Sequence, residues 1–435
     1  MENLLFKLLQ AQKSGKQLAM YSCCSANPYV IEAVLNKGKK DGSCVLIAAT
    51  ANQCDQFGGY TGMTPLDFKH FCDDLADRIG FDKRRMFLGG DHLGPLTFAG
   101  YDEEKAMTLA EELVYAYVKA GFTKIHLDTS MRLASDRTDE RLSDETIAAR
   151  TVRLARVAEK AYCERLAEDT DAVRPVYIIG SEVPIPGGST DNNDRLAVTS
   201  VEDFRHSVEV FARTFAEADM QQAFENVIAF VVQPGVEEKD DGCVEYDRTK
   251  AAGLCAAIRE YPNLMFEAHS TDYQTKFKLR ELAEDGFGFL NVGPALTYAL
   301  REGLFALTYV EDELLPEEKR SGFRQTLDAV MLEAPRYWKS HYSGTDAEIA
   351  LKRKFSFSDR CRYYLADERV KRSIEMLFEN LKDGVPLNLL SQFMPQEYTA
   401  VRCKALANDP KELVLHRIEN TIDEYLYGTR QKELT

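Results

Sequence analysis

The sequence predicts a (β/α)8 barrel of the α/β class, followed by a C-terminal helical extension. Three observations carry that reading. Eight short apolar runs recur along the chain, at 18–21, 44–49, 86–88, 124–127, 176–179, 227–232, 264–268 and 287–290. The segments between them carry helix-period patterns, as in 103–120 (EEKAMTLAEELVYAYVKA) and 201–218, and strands alternating with helices favour parallel pairing. Polar groups follow each run directly, whereas the opposite ends (Asp41-Gly42-Ser43, Gly121-Phe122-Thr123, Tyr261-Pro262-Asn263) are plain. Barrel enzymes build their sites at the C-terminal strand ends, so this asymmetry is itself a functional signal.

In chain order, the first run ends in Ser22-Cys23-Cys24-Ser25. The second ends in Thr50-Ala51-Asn52-Gln53 and opens a Gly-rich polar loop at 56–62, whose amides around Asn52 and Gln53 suit a polyhydroxylated ligand. The third ends in Gly89-Gly90-Asp91-His92. Adjacent Asp and His on an irregular turn can both reach a barrel mouth, His92 as metal ligand and Asp91 as proton shuttle; a helix cap beside a core histidine is the plainer alternative. The fourth ends in Asp128-Thr129-Ser130, with Asp128 either a positioner of a substrate hydroxyl or an N-cap. His126, two residues earlier, shares its face and reads as core or a support for the site.

The fifth ends in Gly180-Ser181-Glu182, before a Pro- and Gly-rich loop that would fix Glu182 as metal ligand, base or ion-pair partner. The sixth ends in Gln233-Pro234-Gly235, the eighth in Asn291-Val292-Gly293. The seventh ends in His269-Ser270-Thr271-Asp272, where Ser270 and Thr271 either face a phosphate or cap the next helix. His92, Glu182 and His269 make a workable set of two imidazoles and one carboxylate for Zn2+, with Mn2+ as the alternative. The rhythm stops near 305, so the expected division is 1–304 for the barrel and 305–435 for helices packed on it. The acidic run at 237–241 reads as solvated, and the tail GTRQKELT as frayed.

Composition narrows the function classes. The 435 residues carry 54 Lys+Arg against 70 Asp+Glu, a net charge of −16, which argues against nucleic acid or anionic membranes as partners. Ten scattered cysteines without a CxxC pair fit a reduced compartment, and with no leader-like or 18-residue apolar run the expected location is the cytoplasm. No GxxxxGK[ST] loop and no GxGxxG opening a helix is present, so no nucleotide cofactor is expected.

The motifs ANQCDQFGGYTGMTP, GGDHLGP, KIHLDTSM, GSEVPIPGG, VVQPGVE, EAHSTDYQT, VGPALTYALRE and SDRCRYY, spread over nearly the whole chain, resemble those of the Z-type subunit of D-tagatose-1,6-bisphosphate aldolase, a family also named tagatose-6-phosphate kinase. That family is in turn similar to class II metal-dependent ketose-bisphosphate aldolases. The resemblance implies a metal on His92 and His269, proton transfer by Asp91, Glu182 at the fifth strand end, and phosphate contacts from Ser270, Thr271, Asn291 and Gly293. At the sixth strand, where those aldolases place a zinc histidine, this chain has Gln233, a weaker ligand.

For function, the resemblance implies first a subunit that sustains a separate catalytic class II aldolase chain in galactitol and tagatose-phosphate breakdown. The alternative is a stand-alone metal-dependent D-tagatose 6-phosphate 4-epimerase giving D-fructose 6-phosphate; the kinase name finds no nucleotide loop. Expected partners are a ketohexose phosphate, such an aldolase chain, and further copies of the chain itself.

Overall fold

A computed structural model describes residues 3–137, 141–181 and 196–434. The eight barrel strands are β1 (Met20–Cys23), β2 (Val45–Thr50), β3 (Met86–Leu93), β4 (Lys124–Leu127), β5 (Val176–Ile179), β6 (Val227–Val231), β9 (Met265–Ala268) and β10 (Phe287–Val292). They close in the order β1-β2-β3-β4-β5-β6-β9-β10 and back to β1, every pairing parallel. A two-stranded hairpin, β7 (Glu237–Glu238) and β8 (Cys243–Val244), stands in the loop after β6. Each predicted apolar run falls on a strand, because a strand buried on both faces needs unbroken apolar sequence.

Strand alternation divides the core in two. Tyr21, Ile47, Ile125, Tyr177 and Phe266 face the helices, whereas Met20, Leu46, Phe87, Val176, Ile178, Met265 and Phe289 pack among themselves inside the barrel. The helix Leu5–Lys13 adds Leu5, Leu8 and Leu9 to that inner cluster. Its start is tied to the N-terminal strand ends by Asn3, whose amide donates to the carbonyls of Thr123 (2.8 Å) and Arg174 (3.1 Å). The bottom of the barrel is therefore sealed by apolar packing, and polar side chains gather in the interior above it.

The helix after β10 runs unbroken from Pro294 to Leu314, so the 304/305 division expected from the sequence falls inside it. Six further helices follow, ending in Pro410–Thr429, which packs against β1 and the helices Pro28–Asp41, Lys276–Glu284 and Pro294–Leu314. The tail is not frayed. Gln431 is fully buried, its side chain accepting from Tyr21 N on β1 (3.0 Å) and donating to Cys44 O just before β2 (2.8 Å), which satisfies a backbone group of each strand's start. Among the described residues no helix is long and apolar enough to cross a membrane, and all ten cysteines are free thiols.

Candidate metal and active site

Asp91 and His92 both reach the barrel interior because β3 is irregular there. Gly90 pairs with Ile125 and Leu93 with Leu127, leaving Asp91 and His92 together opposite the single residue His126. Such a bulge re-aims side chains that strict alternation would send to opposite faces. It costs strain: His92 sits at φ 50, a left-handed backbone that non-glycine residues seldom adopt. Gly94, next but one on the chain, passes so close to β4 that a Cβ there would lie 1.7 Å from the carbonyl oxygen of Asp128.

Around this bulge the interior side chains of three other strands converge. His92 Nδ1 lies 2.9 Å from Asp128 Oδ2, and His269 Nε2 lies 3.0 Å from Glu267 Oε1. An ionised carboxylate only accepts, so each imidazole donates outward and presents its other nitrogen inward. Those inner nitrogens, His92 Nε2 and His269 Nδ1, face each other at 3.0 Å. Two lone pairs so opposed need a shared proton or a cation. Two nitrogens on one tetrahedral Zn2+ would be separated by roughly 3.3 Å, so the spacing fits a divalent ion after minimal adjustment.

An overlapping set of donor atoms from Asp91, His126, Glu267 and His269 lies within 4.8 Å of one another. His126 Nδ1 is 3.0 Å from Asp91 Oδ1, while its Nε2 is buried with no hydrogen-bond partner. Asn291 donates to Glu267 Oε1 at 3.1 Å, and its own Oδ1 is likewise buried without a partner. Orphaned polar atoms of this kind beside imidazoles and carboxylates fit a borderline divalent cation. The cluster could hold a metal ion.

One layer deeper, Lys124 Nζ and Glu267 Oε2 meet at 2.7 Å with neither side chain exposed, an ion pair whose angles fall short of a hydrogen bond. Burial works against each charge, but Glu267 and Asp91 keep the Lys124 ammonium above its ordinary range, while Lys124 and His269 hold the Glu267 carboxyl below its own. Burial likewise opposes ionisation of Asp91, yet His92, His269 and the His126 hydrogen bond outweigh it and leave Asp91 well below the usual carboxylate range. His92 is raised despite burial by Asp91 and Asp128; His269 is lowered by burial. The two imidazoles are thus shifted in opposite directions, His92 towards its charged form and His269 towards its neutral one.

Above the cluster a polar cleft opens at the barrel mouth. Of the sequence-predicted residues, Asn52, Gln53, Asp91, His92, His269, Ser270, Asn291 and Gly293 line it. Gln53 is also a brace, donating to Cys24 O (2.9 Å) and accepting from Thr50 N (3.0 Å). Asp128 stands behind His92 rather than in the lining. Thr271 is fully buried, its hydroxyl on Asn291 O at 2.7 Å. Gln233 folds its amide oxygen back onto Gly235 N (2.8 Å) and Val236 N (3.1 Å), away from the lining. Glu182 lies outside the described residues.

A family model described as D-tagatose-1,6-bisphosphate aldolase subunit GatZ/KbaZ-like matches residues 5–430. This chain belongs to that family. Among solved structures, a protein of Sinorhizobium meliloti 1021 described as a probable tagatose 6 phosphate kinase shares 42% identity, with a TM-score of 0.86 over 94% of this chain and 100% of that one. Fructose-bisphosphate aldolase of Campylobacter jejuni is similar at 15% identity and a TM-score of 0.43, covering 87% of this chain and 93% of that one. The YdjI aldolase of Escherichia coli K12 is similar at 10% identity and a TM-score of 0.40, covering 86% and 97%.

This GatZ/KbaZ-like barrel also places, at its mouth and just beneath it, residues to which the sequence assigned no role. Glu267 and Lys124 were legible in principle, each lying two residues before a singled-out histidine and therefore on the same strand face. Glu238 corrects the reading of the acidic run as solvated: the β7–β8 hairpin folds it inward, it is 4% exposed, and it lines the cavity. Tyr60, Asp272, Arg362 and Tyr363, each inside a motif quoted above but given no role there, also line it, the last two from the helical extension. Nothing local in the sequence marks a residue of a distant helical segment as facing a barrel mouth.

Proposed function

We propose that this member of the D-tagatose-1,6-bisphosphate aldolase subunit family carries a working catalytic centre of its own, acting on a ketohexose phosphate. The reaction it suits is interconversion of D-tagatose 6-phosphate and D-fructose 6-phosphate, which differ only in configuration at C4. The observation that carries this reading is the pair of inner nitrogens of His92 and His269, 3.0 Å apart, each with its outer nitrogen held by a carboxylate. A chain that merely stabilised a partner would have no need to fix two imidazole tautomers towards one point.

A divalent cation held by His92 and His269, with a carboxylate of the cluster, would supply the positive charge that polarises the substrate carbonyl. The chain's own groups do the rest. Asp91, ionised and at the lip of the cavity, takes the proton from the C4 hydroxyl as the C3–C4 bond opens and returns it when the bond re-forms on the other face of the aldehyde. No atom is gained or lost, so no co-substrate is required. Asp128 and Glu267 keep the two imidazoles in register, Asn291 steadies Glu267, and Asn52 and Ser270 offer polar contacts to the sugar.

The test is purified chain alone with Zn2+ or Mn2+ and D-tagatose 6-phosphate, monitoring D-fructose 6-phosphate. Absence of turnover with every divalent metal, together with absence of bound metal, overturns the reading. The family description favours a second reading, in which the chain sustains the activity of a separate class II aldolase chain. Co-expression with such a chain tests it: a gain in that chain's activity or thermal stability supports it, and no association removes it.

A further inference from the structure

The cavity over the His92–His269 centre must accommodate an anion in a protein of net charge −16, and the obvious amides are already taken. Asp272 Oδ1 accepts from Gly293 N (3.0 Å) and Ala295 N (2.7 Å), so its carboxylate fills the N-terminus of the Pro294–Leu314 helix, where a phosphate would otherwise sit. Thr271 has turned its hydroxyl to Asn291 O. The phosphate contacts expected of these strand ends therefore need another source of positive charge.

Among the described residues lining the cavity, Arg362 is the sole arginine or lysine. It arrives from the extension on a short turn, Arg360–Tyr364, and that turn is pinned to the barrel. Asp359, 2% exposed and in the left-handed region at φ 45, accepts from Thr297 Oγ1 (2.6 Å) and Arg301 Nε (3.4 Å), both on the Pro294–Leu314 helix. The Arg362 guanidinium is then held in place, Nη1 donating to the carbonyls of Ser358 and Asp359 and Nη2 to the Tyr363 hydroxyl (3.1 Å). Carbonyl and phenol partners fix its position, and the Asp359 and Glu238 carboxylates act on its charge without a direct hydrogen bond to it, so its donors are not locked in a carboxylate fork. On the cavity wall, Glu238 is buried with Oε2 lacking any hydrogen-bond partner. An orphaned carboxylate oxygen in a polar cavity suits a sugar hydroxyl.

The geometry points to Arg362 as the anchor for the phosphate of the ligand, with Glu238 Oε2 accepting a hydroxyl of the same molecule. The helical extension thereby completes the binding site, setting the phosphorylated end of the sugar against Arg362 and leaving the other end to the His92–His269 centre. This rests on the reading of the cavity as a ketohexose-phosphate site.

The test is calorimetry on the full-length chain, with and without Zn2+, titrating D-tagatose 6-phosphate and unphosphorylated D-tagatose. The unmodified protein should prefer the ester. Arg362→Ala should weaken ester binding by about 10- to 100-fold, the worth of a hydrogen bond to a charged group, while affinity for D-tagatose and for Zn2+ is retained. Arg362→Lys, which keeps the charge without the planar fork, should fall between the two and serves as the reading if the alanine variant does not fold. Glu238→Gln should weaken ester and free sugar alike. An unchanged preference for the ester in the folded Arg362 variants overturns the anchor alone. If the unmodified protein binds neither ligand, the sugar-phosphate reading fails and the anchor fails with it.

Discussion

Replacing Lys124 by methionine should be among the most damaging single changes to this barrel, and the damage should be repaired by a second change. Lys124 and Glu267 meet at 2.7 Å with both side chains at 0% exposure. At an effective dielectric of about 20 their attraction is about 6 kcal/mol. That sum is largely offset by the cost of taking both charges out of water, so the pair itself adds little net stability. Lys124→Met removes the attraction and leaves the other cost standing: Glu267 stays buried, beside Asp91, with only the His269 and Asn291 donors at 3.0 and 3.1 Å. The expected loss is about 3–5 kcal/mol. Lys124→Met combined with Glu267→Gln removes both charges at nearly constant volume and should lie within about 1–2 kcal/mol of the parent. Urea midpoints for the parent, both single variants and the double variant close the cycle; because either single change strands a buried charge at a cost of about 3–5 kcal/mol, the expected coupling is at least about 4 kcal/mol. A single variant no worse than the double would refute the reasoning, since Glu267 would then not depend on Lys124 for its charge.

Further outcomes follow from the same geometry. Zn2+ should bind and raise the unfolding midpoint, by about 2.7 kcal/mol of added stability at roughly a hundred times its Kd, and His92→Ala or His269→Ala should abolish both effects in equilibrium dialysis and thermal melts. Asp91→Asn should cut epimerisation by about 100- to 10,000-fold, the usual worth of a positioned acid–base group, with Zn2+ still bound. Gly94→Ala should cost more than about 3 kcal/mol, because its Cβ would stand 1.7 Å from Asp128 O, whereas Gly100→Ala, with nothing within 4 Å, should change stability by less than about 0.5 kcal/mol in the same denaturation assay. His341 is held down to about 4 by burial and by the Arg360 and Arg362 charges, against an ordinary 6.5. The unfolded chain thus takes up a proton that the folded chain refuses, so His341 lowers stability as pH falls from about 6.5 towards 4, and His341→Gln should flatten that part of the melting-temperature profile.

How much of this was legible in the sequence follows from the range of the forces involved. Apolar runs announce strands because burial on both faces is a local requirement, so all eight barrel strands were readable from residues a few positions apart. Asp91, His92 and His269 stood out for the same reason, as chemistry-bearing residues at strand ends. An irregular turn that lets Asp91 and His92 both reach the mouth was expected from the two glycines before them, but its form, a bulge opposite His126, depends on which residues β4 sets opposite β3. The acidic run misled: charge density at 237–241 looked like a solvated surface, but the hairpin pairing of Glu238 with Cys243 sends one of those carboxylates into the cavity.

By itself, then, the sequence determined the barrel, the end at which the polar groups gather, and the family, each encoded in local periodicity or contiguous motifs. Tertiary structure alone decided which polar groups meet. The tautomers of His92 and His269 are imposed by Asp128 and by a Glu267 that Lys124 keeps charged, and these partners come from different strands. Arg362 reaches the mouth only because Asp359 docks on the Pro294–Leu314 helix, a distant part of the chain. Strand and helix formation is settled by neighbours along the chain, but a proton's position or a cavity's charge is settled by neighbours in space, and closure of the barrel is what makes them neighbours.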